Sequence, residues 1–91
     1  MLKGLDTKKI SEQWFVYILE CKDGTFYTGI TNNINRRIAA HNAGKGARYT
    51  RSRGPVTLRY QESCANRSTA LIRECAVKTL TRDAKEKLFS L

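Results

Sequence analysis

Arg37 and His41 occupy helix positions that normally carry apolar residues. The segment Asn33-Ile34-Asn35-Arg36-Arg37-Ile38-Ala39-Ala40-His41 has helical spacing, and Ile34 and Ile38 mark its buried side. At about 100° per residue, Arg37 and His41 fall within roughly 60° of that stripe, whereas Arg36 points the other way. A guanidinium and an imidazole beside a core are costly unless they meet a partner or a ligand. The meeting point on offer is a pair of upstream strands, Phe15-Val16-Tyr17-Ile18-Leu19 and Phe26-Tyr27-Thr28-Gly29-Ile30. Seventeen basic against eight acidic residues give a net charge of +9, which favours an anionic ligand, above all nucleic acid.

For Tyr17 and Tyr27 to converge on Arg37 and His41, the hairpin must have a particular turn. A two-residue loop at Asp23-Gly24 pairs Glu20 with Tyr27 and puts the tyrosines on opposite faces. A three-residue loop, Lys22-Asp23-Gly24, with Gly24 left-handed in a bulge, pairs Leu19 with Tyr27 and puts both on one face. The second is expected. Asn32 or Asn33 caps the helix that follows, which stops at Gly44. Lys45 to Gly54 reads as a basic loop. Pro55 opens a third strand, Val56 to Tyr60, with an open edge through which the chain could dimerise. A second helix starts at Asn66 or Ser68 and runs through Leu80, with Leu71, Ile72, Cys75, Ala76 and Leu80 as its apolar face and Cys75 as a small core residue. Thr81 caps a last helix, Arg82 to Phe89.

These elements imply an α+β domain of order β-β-α-β-α-α, a small three-stranded antiparallel sheet flanked by helices. Residues 1–12 are a loose polar tail and 13–91 one domain. No apolar run approaches the ~20 residues that span a bilayer. The start Met1-Leu2-Lys3-Gly4-Leu5-Asp6 has no apolar h-region, so no signal peptide is expected. Cys21, Cys64 and Cys75 are widely spaced, with a single histidine in the chain. That inventory disfavours structural zinc and fits reduced thiols in a cytoplasmic protein.

Phe15-Val16-Tyr17, Tyr27-Thr28-Gly29, Arg37, His41 and Glu74 follow one another with the spacing of the GIY-YIG nucleases, which this chain resembles from Trp14 to about Leu88. The strings Tyr27-Thr28-Gly29-Ile30-Thr31, Arg36-Arg37, His41-Asn42, Gly44-Lys45-Gly46-Ala47 and Tyr49-Thr50-Arg51 are similar to the small stand-alone bacterial branch, whose members are largely uncharacterised. The resemblance implies the GIY-YIG fold and an endonuclease acting on DNA, with RNA left open, on flaps, branches, nicks or damaged strands of the kind met in DNA repair. In that light Tyr17 is the base, Tyr27 positions water or phosphate, and Arg37 clamps the scissile phosphate with its planar fork. His41 relays a proton or braces Tyr17, and Glu74 holds a metal.

Two-metal nucleases need clustered carboxylates, which this chain does not readily supply. Its inventory suits one Mg²⁺ or Mn²⁺ on Glu74, completed by waters and phosphate oxygens. A tyrosine begins near pKa 10, so Arg37 or the metal has to favour the phenolate. Gly29 is expected to admit close backbone approach to the first helix or the phosphate. Lys45, Arg48, Arg51 and Arg53 are expected to grip phosphates, with Tyr49 stacking on an unpaired base.

Taken singly these residues have plainer accounts: packing aromatics, a snorkelling arginine, a boundary histidine, and a Glu74–Lys78 pair at i,i+4. Phe15-Val16 and Thr28 depart from the family motif, but both fit strands. The asparagine that many members carry after the helical glutamate has no counterpart here, since none follows Asn66. That gap keeps open an alternative, a non-catalytic or partner-dependent nucleic-acid-binding module. A partner protein could supply targeting in either case.

Overall fold

The computed structural model describes residues 13–89; the tail read at 1–12 lies outside the described residues. The strands are β1 (Trp14–Glu20), β2 (Phe26–Thr31) and β3 (Thr57–Cys64). The helices are α1 (Ile34–Asn42), α2 (Arg48–Arg51), α3 (Arg67–Lys78) and α4 (Arg82–Phe89). β1 lies at the centre of an antiparallel sheet of order β2-β1-β3, so among the described residues β2 and β3 are its edge strands. Among the described residues no helix is long and apolar enough to cross a membrane.

The hairpin adopts the bulged turn. Gly24 N–H donates to the Cys21 carbonyl at 2.9 Å, Cys21 N–H donates to the Thr25 carbonyl at 2.8 Å, and Gly24 has φ +86°. Leu19 therefore pairs with Tyr27, and Tyr17 with Gly29. Because side chains alternate along a strand, Tyr17, Leu19 and Tyr27 share one face and Val16, Ile18 and Phe26 the other. On the first face Tyr17, Leu19, Cys21 and Val56 pack against Ile34 and Ile38 of α1. On the second, Val16 and Ile18 pack with Ala70 and Val77 of α3, flanked by Leu88 and Phe89 of α4.

Helix ends follow the expected chemistry. Asn33 Oδ1 accepts from Arg36 N–H at 3.0 Å, Asn66 Oδ1 from Thr69 N–H at 2.9 Å, and Thr81 Oγ1 from Ala84 N–H at 3.1 Å. After α1, Lys45 N–H reaches back to the Ala40 carbonyl around Gly44 at φ +78°, a glycine-dependent stop.

Three expectations need correction. The stretch Lys45 to Gly54 contains the one-turn helix α2, so the order is β-β-α-α-β-α-α. Four residues are too few for propensity to specify a helix, and tertiary contacts at Thr50 hold this one. β3 extends to Cys64 and carries a bulge: Ile18 pairs with Tyr60 and Leu19 with Leu58, so Arg59 is the extra residue. The bulge sends Leu58 to the tyrosine face and Tyr60 to the opposite one. Finally, α3 is rotated from its expected orientation. Its buried residues are Ala70 and Val77, whereas Ile72 is 73% exposed and Cys75 is on the surface. Strand residues and α4 fill that core with bulky side chains, so the helix can approach only through its small residues.

Candidate active site

Tyr17, His41 and Thr50 form a buried hydrogen-bonded row beneath α1. Tyr17 Oη lies 2.9 Å from His41 Nε2, and His41 Nδ1 lies 2.8 Å from Thr50 Oγ1. Each of the three residues is only 1% exposed. Thr50 Oγ1 spends its one proton on the Ala47 carbonyl at 3.2 Å. His41 Nδ1 must then carry the hydrogen it gives to Thr50, which leaves Nε2 to accept from the Tyr17 hydroxyl. This arrangement requires a neutral imidazole. Burial, reinforced by the charge of Arg37, pushes His41 below its ordinary value of 6.5.

Two glycines make room for this row. A Cβ on Gly29 would meet the Tyr17 hydroxyl at 2.5 Å, and one on Gly46 would fall on the His41 ring. Gly29 therefore admits the tyrosine that crosses over it, rather than the expected approach of the first helix. Gly46 has a second role, because its carbonyl accepts from Arg37 Nη2 at 2.7 Å. Arg37 also approaches the Tyr17 phenol, but its Nε is buried without a partner, and among the described residues no carboxylate pairs with it. A desolvated guanidinium with an unused donor is costly to leave so and is preorganised for an anion.

Burial dominates the Tyr17 phenol and raises its pKa above the ordinary 10; the nearby Arg37 opposes this, and the Tyr27 phenol and Glu74 carboxylate reinforce it. The cation expected to favour the phenolate thus does not prevail in the resting protein.

The tyrosine pair is tilted, with ring centroids 6.4 Å apart, and Tyr27 lies edge-on to His41 at 5.2 Å. Tyr49 stacks on Tyr27 at 6.1 Å, with Arg53 Cζ 4.1 Å above the Tyr49 ring. Arg53 also pairs with Asp23 at 3.1 Å and donates to the Tyr49 carbonyl at 2.7 Å. Tyr49 and Arg53 therefore wall the tyrosine pair, whereas Lys45, Arg48 and Arg51 are exposed.

Glu74 lies between Ala70 and Val77 on the inward side of α3. Its side chain is 16% exposed, and Lys78 Nζ lies 3.4 Å away. Among the described residues no three His, Cys, Asp or Glu side chains converge to hold a metal. A single carboxylate does fit a hard cation that keeps waters and takes phosphate oxygens as its remaining ligands.

Thr50 and Gly46 enter the sequence reading only within the family-like strings, with no role of their own. A threonine in a polar, basic stretch gives no sign of burial. Gly46 had a signal: Gly44 already ends the helix, so a second glycine two residues later needs its own reason.

Residues 13–87 match the family model described as the GIY-YIG catalytic domain. A UPF0213 protein of Halobacterium salinarum is 57% identical over 74 residues, which cover 81% of this chain and 96% of that protein. A UPF0213 protein of Staphylococcus haemolyticus is 53% identical over 74 residues, covering 81% and 90%. The solution NMR structure of a UPF0213 protein from Bacillus halodurans superposes with a TM-score of 0.55 at 49% identity, covering 86% of this chain and 83% of that one. Relatives thus come from archaea as well as bacteria. On the match over residues 13–87 and the identity to these relatives, the chain belongs to the GIY-YIG family of nuclease-type catalytic domains.

Proposed function

We propose that the protein is a metal-dependent endonuclease that hydrolyses phosphodiester bonds in DNA, with Tyr17 as general base. The observation that carries this reading is the one-way hydrogen-bond row from Tyr17 through His41 to Thr50, adjoining Arg37, whose buried Nε has no partner. A buried phenol does not release its proton unaided. His41 Nε2 takes the Tyr17 proton as Tyr17 Oη takes one from water, and the resulting imidazolium keeps its Nδ1–H on Thr50. Arg37 holds the scissile phosphate. That phosphate also offsets the positive charge that otherwise opposes protonation of His41, so substrate binding itself prepares the base. Tyr27 positions the water or the phosphate.

Glu74 is the residue that would hold a single Mg²⁺ or Mn²⁺. When bound, such an ion relieves charge on the phosphoryl group and the leaving oxygen. Lys45, Arg48 and Arg51 contact flanking phosphates, so affinity falls steeply with salt. Tyr49 and Arg53 keep Tyr27 in place. Flaps, branches, nicks and damaged strands remain the substrates to try first, with a partner protein as a source of targeting. The free thiols Cys21, Cys64 and Cys75 suit a reducing, cytoplasmic setting.

The Glu74–Lys78 pair and the raised Tyr17 pKa favour a second reading, a non-catalytic nucleic-acid-binding module. A labelled panel of single-stranded, duplex, flap, nicked and branched DNA, with RNA, separates the two when incubated with Mg²⁺ or Mn²⁺. Cutting by the wild type that Arg37→Ala and Glu74→Ala both lose is the outcome expected of the enzyme. Binding without cutting, unchanged in Glu74→Ala, would leave the module.

A further inference from the structure

At the far end of the sheet from the hairpin, a groove of about 380 Å³ opens between the start of β1, the end of β2 and α1. Trp14 and Ile30 form its apolar wall, Thr31 and Asn32 its polar rim, and Arg36 and Arg37 its cationic side. Arg67 adds a third cation, its Cζ over the Trp14 ring at 5.8 Å from the centroid, a contact that a stacked base would share or displace. Among the described residues Arg36, Arg37 and Arg67 form no ion pair, whereas Arg53, Arg59, Arg73 and Arg82 all do. Five of the six carboxylates among the described residues pair with other cations, and none of the six pairs with these three arginines.

We infer that the groove is a subsite for an unpaired nucleotide next to the scissile phosphate, its base lying on the Trp14 indole and its own phosphate between Arg36 and Arg37. A flat apolar ring beside unpaired guanidinium groups is the combination that takes a single-stranded nucleotide: the ring stacks on any base, and the cations follow the backbone. A base still paired within a duplex does not present its face in this way, so the groove selects a frayed, flapped or single-stranded flank. Arg37 belongs both to the groove and to the site around Tyr17, which makes the nucleotide bound here an immediate neighbour of the reacting phosphate. Arg36 has no part in the proposed chemistry, and its orientation away from the Ile34 and Ile38 stripe leaves it free to serve this subsite. The identity of the ligand rests on the endonuclease reading; the shape and charge of the groove do not.

Trp14 is the only tryptophan in the chain, so its emission reports on this groove alone. The test titrates the full-length protein, in EDTA, with a short single-stranded oligodeoxynucleotide and with the same sequence as blunt duplex. Trp14 emission is read with unlabelled strands, and anisotropy with dye-labelled ones. The expected result is quenching of Trp14 by the single strand in step with the anisotropy rise, and weaker quenching by the duplex at equal occupancy. Arg36→Gln, a surface change that leaves the core intact, is expected to weaken single-strand binding on the order of tenfold and to lower the salt slope by about one. An anisotropy rise with unchanged Trp14 emission, or equal quenching by both forms, overturns the subsite and leaves the nuclease reading standing. No anisotropy rise with either form overturns both.

Discussion

The two faces of β1 are built from neighbouring residues to opposite specifications. Val16 and Ile18 point into an apolar core with Ala70 and Val77. Tyr17 points the other way, into a buried polar row with His41 and Thr50, over two glycines that have no room for a side chain. One face supplies burial, the dominant favourable term in folding. The other buries hydroxyl and imidazole groups, which is tolerable only because each finds a partner in a fixed direction. The difference shows where rigidity comes from. A polar row can be held to hydrogen-bonding distance because the opposite side of the same strand is locked by packing.

Tyr17→Phe should separate the faces most sharply. On the proposed mechanism, cleavage should fall by about 10²–10⁴ when this hydroxyl is lost. Stability should fall by only about 1–3 kcal/mol, for the unpartnered His41 nitrogen. Rate measurements beside urea unfolding decide it, and a variant that unfolds outright would make Tyr17 mainly structural.

Ile18→Ala, one residue along, should do the reverse. A loss of about 2–5 kcal/mol is expected in the urea midpoint, with little change in cleavage per folded molecule. If activity falls before folding does, the faces are not independent.

Gly46→Ala should disturb both, since the new methyl falls on the His41 ring while the Arg37 contact at the Gly46 carbonyl also shifts. A destabilisation of about 1–3 kcal/mol is expected, with a loss of cleavage larger than that of Ile18→Ala. Retention of wild-type cleavage would remove Gly46 from the site.

Thr50→Val keeps the volume but takes the acceptor from His41 Nδ1. A drop on the order of tenfold in rate, with an altered pH profile, marks loss of tautomer control. A fall in stability alone would reduce Thr50 to a packing residue.

The smallest effect is in pH. His41 titrates below its ordinary 6.5 when folded, so the unfolded chain takes up its proton first as pH falls. Stability is therefore full above about 6.5 and declines as pH drops below that value toward the folded pKa. Tyr17, raised above 10, gives the mirror-image loss at alkaline pH. Melting temperatures from pH 7 down to pH 5 should fall less steeply in His41→Gln than in the wild type.

Much of this was legible in the chain, because its causes are local or periodic. Asn33, Asn66 and Thr81 cap the helices they precede, since a cap acts within three residues. The bulged turn could be chosen from the placement of Tyr17 and Tyr27, because strand alternation leaves one register that puts both on a face. The helical phase of Arg37 and His41 beside Ile34 and Ile38 pointed to a polar core site. What the sequence could not decide depended on which surfaces meet. The orientation of α3 departs from the apolar periodicity because the sheet and α4 fill that core, so small Ala70 faces inward while Ile72 and Cys75 face out. α2 and the bulge at Arg59 exist only as responses to their surroundings. Thr50, nine residues beyond His41 in a polar stretch, became its partner only when the chain folded back beneath α1. Propensity and spacing locate the elements; the face a helix buries, and the pairing of buried donors with acceptors across elements, are set by tertiary packing, where each unmet polar group is costly.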